Sequence, residues 1–167
     1  DRRQRQMCIR DRTIADYARA HLTDTAVTER LVDYFVTYVE AHATDYAALD
    51  SESTNIVAAL EAAFERGMRP ELVRGVHAFV PMLITRGLYT AAEAQLQRSL
   101  EATRILEDAT NQATAWLHLG KIAEQRGNYV QAQAHWQNGL SLARESGQRT
   151  EIAQILRELG NLAWEQG

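Results

Sequence analysis

Residues 116–136 read WLHLGKIAEQRGNYVQAQAHW, and this stretch decides the fold. Its two tryptophans, Trp116 and Trp136, are large enough to fill the space between two packed helices. Gly120 and Ala132 are small, so the backbones of those helices can approach each other closely. The glycine of the RGNY segment is placed to end the first helix. The stretch therefore predicts two antiparallel helices joined by a tight turn.

The same spacing recurs along the sequence and identifies an internal repeat. Glycines occupy positions 67, 87, 127, 147 and 167, with intervals of 20, 40, 20 and 20 residues. Each closes a segment with the apolar periodicity of an amphipathic helix, so one helix and its turn take 20 residues. Two such units make a 40-residue repeat, and the fold class is predicted to be all-α.

Periodicity predicts eight helices, stacked in antiparallel pairs as an α-solenoid. They lie near 13–21, 25–42, 46–66, 70–86, 90–107, 112–126, 129–146 and 150–166. Pro70 suits the first turn of its helix. Pro81 falls inside the same helix and removes the hydrogen bond to the carbonyl of His77, so we expect a kink there.

The central pair resembles one tetratricopeptide repeat. Its pattern is Trp116-x-x-Leu119-Gly120-x-x-Ala123, then Gly127-Asn128-Tyr129, Ala132 and Trp136. The next copy begins Leu156-x-x-Leu159-Gly160-x-x-Ala163, and the previous copy carries Val80 in place of the small glycine. The predicted packing residues are those of the two clearer copies: Trp116, Leu119, Gly120, Tyr129, Ala132, Trp136, Leu159 and Gly160. The period of 40 residues exceeds the usual length of about 34.

This longer repeat resembles those at the C-terminal end of bacterial signalling ATPases of the STAND (NB-ARC) class. Upstream, Thr13-Ile14-x-x-Tyr17-Ala18-x-x-x-Leu22 is similar to the last helix of the winged-helix segment in that class. The segment from Leu49-Asp50 to Ala59-Leu60 is similar to the helical linker that precedes the repeats. The resemblance implies a linker over 13–68 and repeats over 69–108, 109–148 and, in part, 149–167. It also implies a sensor or scaffold role in signal transduction and transcriptional regulation.

The first twelve residues, DRRQRQMCIRDR, differ from everything after them. They resemble the translation of a sequencing adapter, which suggests a metagenomic reading frame and excludes them from fold reasoning. The alternative is a disordered basic arm. Without their five arginines and two aspartates, the protein keeps 13 basic and 20 acidic residues, a net charge of −7. Nucleic acid is therefore not expected as a partner, because its recognition needs a clustered basic surface.

Composition narrows the remaining function classes. Apolar residues make up 46% of the sequence, enough for a packed core, yet no run approaches the roughly 20 residues that span a bilayer. A cytoplasmic location is expected, since the single cysteine, Cys8, cannot form an internal disulfide. The sequence has neither a phosphate-binding loop nor a His-Glu-x-x-His motif. We therefore expect no enzyme activity, no cofactor and no metal.

The first helix of each repeat is expected to line a concave surface. The polar residues there that lie off the apolar stripe are Arg74, His77, His118, Lys121, Arg157 and Asn161. They are either ordinary surface residues or a basic-polar groove for an acidic peptide or the C-terminus of another protein. The alternative to the sensor role is accordingly a stand-alone peptide-binding adaptor.

The protein is expected to be a fragment, with the third repeat present only as its first helix. That helix would lack its partner, leaving Leu156, Leu159 and Trp164 partly exposed. Exposed apolar faces favour association, so self-association through this helix is predicted beside protein or peptide binding.

Overall fold

The computed structural model describes residues 25–166, so the N-terminal arm and the helix predicted near 13–21 lie outside the described part. All regular elements within this range are α-helices. They are α1 Thr25–Ala41, α2 Tyr46–Ser51, α3 Ser53–Glu65, α4 Arg69–Thr85, α5 Tyr89–Ile105, α6 Ala109–Gln125, α7 Tyr129–Glu145 and α8 Arg149–Gln166.

Successive helices pack as antiparallel neighbours, which confirms the all-α array of helix pairs. Contacts join α4 to α5, α5 to α6, α6 to α7 and α7 to α8. In addition, α4 contacts α6 and α6 contacts α8, so the first helices of the pairs form a layer of their own. The preceding helices α1 and α3 pack on α4 and connect the linker region to the first pair.

The last five helices keep an unbroken 20-residue period, beginning at residues 69, 89, 109, 129 and 149. Each preceding turn contains a Schellman bond between an amide and the carbonyl five residues earlier, at 2.8–2.9 Å. Four of these turns place a glycine in the left-handed region, with φ between 68° and 74°. The fifth uses Glu107, at φ 55°. The turn that lacks glycine in the sequence is therefore still present.

Glu107→Gly is expected to raise the free energy of unfolding by about 1 kcal/mol, because an L-residue is strained in the left-handed conformation. The matched reverse change, Gly127→Ala, places a methyl group at φ 74° and should lower it by a similar amount. Urea denaturation of both variants measures the pair. Equal, unchanged midpoints would contradict the account.

The prediction of one helix over 46–66 is wrong, because Glu52 divides the segment into α2 and α3. The hydroxyl of Ser51 donates to the carbonyl of Ala48 at 2.7 Å, a local bond that competes with helix propagation. The side chain of Asn55 then donates to Glu52 at 2.7 Å at the start of the second helix. By contrast, α4 continues through Pro81, and the kink there stays a prediction.

Two clusters of buried side chains form the core. The larger extends from α1 to α6, and the smaller joins α6, α7 and α8. Gly75 lies where α4 meets the linker helices, since a Cβ built on it would come within 3.2 Å of Val36 in α1 and 2.6 Å of Leu60 in α3. The linker and the first pair therefore share one interior.

Candidate functional site

The first predicted groove residue, Arg74, is already paired. Its guanidinium contacts Glu40 of α1 through two hydrogen bonds, with Nε donating to Oε1 at 2.9 Å. This bond raises the pKa of Arg74 above its ordinary value. The side chain is exposed but committed to a bidentate ion pair that spans the linker and α4.

The two predicted groove histidines, His77 and His118, lie between helices and carry no charge at neutral pH. His77 Nε2 is 3.1 Å from the hydroxyl of Ser99 in α5, and burial lowers its pKa to about 4. His118 Nδ1 is buried with no hydrogen-bond partner among the described residues. Burial, with smaller effects from His77 and Lys121, lowers the pKa of His118 to about 3. Neither histidine adds positive charge to a groove.

Lys121 and Arg157 share one carboxylate. Glu158 of α8 is only 9% exposed, accepts a hydrogen bond from Arg157 Nη2 at 2.8 Å and lies 3.4 Å from Lys121 Nζ. One of the two positive charges is thereby neutralised. The surface is weakly basic at this point and less basic than the sequence suggests.

Asn161, the last of the predicted groove residues, lines a depression of about 510 Å³ between α6 and α8. We call it the α6–α8 groove. It is lined by Glu124, Gln125, Tyr129, Glu158, Asn161 and Trp164. The two aromatic residues are exposed, Trp164 to 86% and Tyr129 to 41%. Of the predicted residues, the structure therefore brings Asn161 together with the ion pairs of Glu158, while Arg74 lies at the linker.

The predicted packing residues of α6 and α7 meet at a single joint. Trp136 is fully buried, and its Nε1 donates to the carbonyl of Leu117 at 3.1 Å. A Cβ built on Gly120 would lie 2.7 Å from Cε2 of the Trp136 ring, so only glycine fits there. Ala132 is fully buried in the same cluster, and Leu119 is 6% exposed in the larger one.

The remaining packing residues lie at the margin of the core or outside it. Trp116 is partly buried and stacks on His135, with ring centroids 5.2 Å apart. Leu159 packs on the smaller cluster. Tyr129 points into the α6–α8 groove, and Gly160 is exposed with open space where a Cβ would lie. Tyr129 and Gly160 therefore contact no partner helix of the kind that Gly120 has.

Sequence reasoning missed a polar seam on α5. Gln95, Ser99 and Thr103 recur at every fourth position, and all three are at most 5% exposed. Ser99 contacts His77, Thr103 donates to the Leu100 carbonyl, and Oε1 of Gln95 is buried with no partner within the described range. Their four-residue spacing was the available signal, because it places them on one helix face.

A second missed feature is an aromatic ladder on α1. The rings of Tyr34 and Tyr38 stack with centroids 6.4 Å apart, and those of Tyr38 and His42 with centroids 4.2 Å apart. Tyr34 is 62% exposed. The i, i+4, i+8 spacing of these rings could have indicated the ladder.

Comparisons with known proteins identify no relative: no family model, curated protein or solved structure matches the sequence. Over residues 25–166, no three His, Cys, Asp or Glu residues come together as a metal site. Within that same part of the protein, none of the helices is both long and apolar enough to cross a bilayer.

Proposed function

We propose that this protein is a non-catalytic scaffold for protein–protein interaction and forms the sensor part of a STAND-class regulator. The observation that carries the proposal is the unbroken 20-residue period of α4 to α8. An array of this kind stacks each pair on its neighbour and exposes an extended surface, which suits the binding of proteins or peptides.

The junction between the linker and the repeats supports the sensor role. A sensor must pass a binding event to the domain that responds, which requires a physically connected element with few loose joints. Here the Arg74–Glu40 ion pair and the close approach of Gly75 to Val36 and Leu60 fix α4 against α1 and α3. A partner that displaces the repeats would therefore also displace the linker.

The test is to recover the reading frame around residues 13–167 by long-read sequencing of its source. The proposal expects a phosphate-binding loop, followed by a winged-helix segment, in the same frame upstream of Thr13. A frame without that loop overturns the STAND assignment and leaves an adaptor.

The adaptor alternative is supported by one feature, the α6–α8 groove with Lys121 and Arg157 beside it. An acidic peptide placed there would compete with Glu158 for both cations. Lys121→Ala should then weaken the binding of a fluorescent acidic peptide about tenfold, whereas Arg144→Ala on the exposed end of α7 should not. Equal affinities for the two variants would exclude the groove as the binding site.

A further inference from the structure

Helix α8 presents an uncovered apolar face. We call it the α8 outer face and define it by Leu156, Gly160, Ala163 and Trp164, all of which are exposed. Leu156 is 45% and Trp164 86% exposed. On the opposite side of the same helix, Ile155 is buried against α7 in the smaller core cluster. The helix is therefore apolar on two sides, and only one of them is packed.

The 40-residue period shows what the outer face corresponds to. Helix α8 begins 40 residues after α6, so Gly160 occupies the position of Gly120 and Ala163 that of Ala123. In α6 these positions are buried, and the ring of Trp136 from α7 fills the space beside Gly120. The equivalent space beside Gly160 holds no atom of the described residues within 4 Å of a built Cβ.

The helix that covers α6 carries a recognisable pattern. Ala132, Trp136 and Gly139 of α7 are buried and spaced small, large, small at i, i+4 and i+7. A Cβ on Gly139 would lie 3.1 Å from Cβ of Trp116, so this position allows the two backbones to approach closely. Helix α5 has the same pattern 40 residues earlier, with a fully buried set of small, large and small residues: Ala92, Leu96 and Ser99.

The size of the central residue varies with the position that it faces in the repeat. The first pair has Val80 in α4 and Leu96 in α5, both fully buried. The second has Gly120 in α6 and Trp136 in α7. A glycine thus goes with an indole, and a valine with a smaller leucine. With a glycine at position 160, the α8 outer face has a notch of the size that accepts an indole ring.

From this correspondence we infer that the α8 outer face binds an amphipathic helix with the pattern small-x-x-x-aromatic-x-x-small, its aromatic ring seated beside Gly160. The backbone carbonyl of Arg157 stands where the Leu117 carbonyl accepts the Trp136 indole, 40 residues earlier. The inference rests on the proposed scaffold function and names its partner class.

The probe is a fluorescein-labelled peptide with the sequence of residues 127–148, which contains α7 and its pattern. Titration of the protein into this peptide, followed by fluorescence anisotropy, should give saturable binding. Replacing the tryptophan of the peptide (Trp136→Ala) should weaken binding at least about tenfold, as should Gly160→Leu in the protein. The leucine fills the notch without touching the rest of the core.

Gly160→Leu is expected to fold, because the position is exposed and leucine is a better helix former than glycine. Circular dichroism and thermal melting of this variant verify that. Equal binding to wild type and Gly160→Leu would mean that the peptide exchanges with α7 at Gly120, and would overturn the inference. Absence of peptide binding would also overturn it.

A third outcome distinguishes a second copy of the protein as the occupant. Analytical ultracentrifugation would then show a dimer that disappears in Gly160→Leu, while the peptide fails to bind, and the inference would be overturned. The reading-frame test of the proposed function is independent of these results. A phosphate-binding loop upstream together with no peptide binding leaves the sensor assignment and removes the inference about α8.

Discussion

Trp136→Ala is expected to lower the free energy of unfolding by about 3–5 kcal/mol, the range for a large aromatic residue removed from a packed core. Trp136 is fully buried, fills the space beside Gly120 and holds the carbonyl of Leu117 with its indole N–H. Its removal leaves a cavity between α6 and α7 and a carbonyl without its side-chain donor. Urea denaturation monitored by far-UV circular dichroism measures the loss.

The protein supplies a matched control in Trp164, the same residue type at 86% exposure. Trp164→Ala should change the free energy of unfolding by less than about 0.5 kcal/mol, as is usual for an exposed side chain. Similar losses for the two variants would contradict the assignment of Trp136 as the central packing residue.

A double-mutant cycle tests the joint itself. Gly120→Ala should be strongly destabilising in the wild type, because the new methyl group overlaps the ring of Trp136. In the Trp136→Ala background the ring is gone, and the same change should be nearly neutral. The two changes are therefore expected to be coupled by about 0.5–3 kcal/mol, the range for residues in direct contact.

The sequence was sufficient for the repeat, because glycine in the left-handed conformation leaves a visible mark at intervals of 20. It was insufficient for the turn at Glu107, where the Schellman bonds form without glycine. The same limit applies to the segment 46–66, whose break at Glu52 depends on a local serine bond and not on proline or glycine. Periodicity finds helices more readily than it finds their boundaries.

The candidate site was harder to predict than the fold. Position on the first helix of a repeat placed His77 and His118 in a groove, but periodicity does not reveal how far α5 covers that face. Charge had the same difficulty, because the partner of Arg74 is 34 residues away, in the linker. A glutamate on an amphipathic helix is usually solvated, yet Glu158, the acceptor shared by two cations, is nearly buried.

Acidification should destabilise the fold through the two buried histidines. Their pKa values are lowered from 6.5 to about 4 for His77 and about 3 for His118, in both cases chiefly by burial. Between pH 6.5 and these lower values the unfolded protein binds protons that the folded protein does not. Stability is therefore complete above pH 6.5 and is lost as the pH falls toward the folded-state pKa values.

At pH 5 each histidine is about 1.5 units below its ordinary pKa, so the expected loss is about 2 kcal/mol per residue. His118→Leu should remove its own share of the loss between pH 7 and pH 5, and the double change His77→Leu with His118→Leu should remove both. The loss that remains belongs to other groups, chiefly carboxylates in ion pairs, and is common to all variants. Urea denaturation at several pH values gives these differences directly.

Ser99→Ala separates protonation from packing. It removes the hydroxyl that contacts His77 at 3.1 Å but keeps both imidazoles. This variant should be destabilised by about 1 kcal/mol at every pH, because one buried hydrogen bond is lost. Its stability should still fall with acid as steeply as that of the wild type. If the double histidine variant loses as much stability as wild type from pH 7 to pH 5, buried neutral histidines are not what makes the interface of α4, α5 and α6 acid-sensitive.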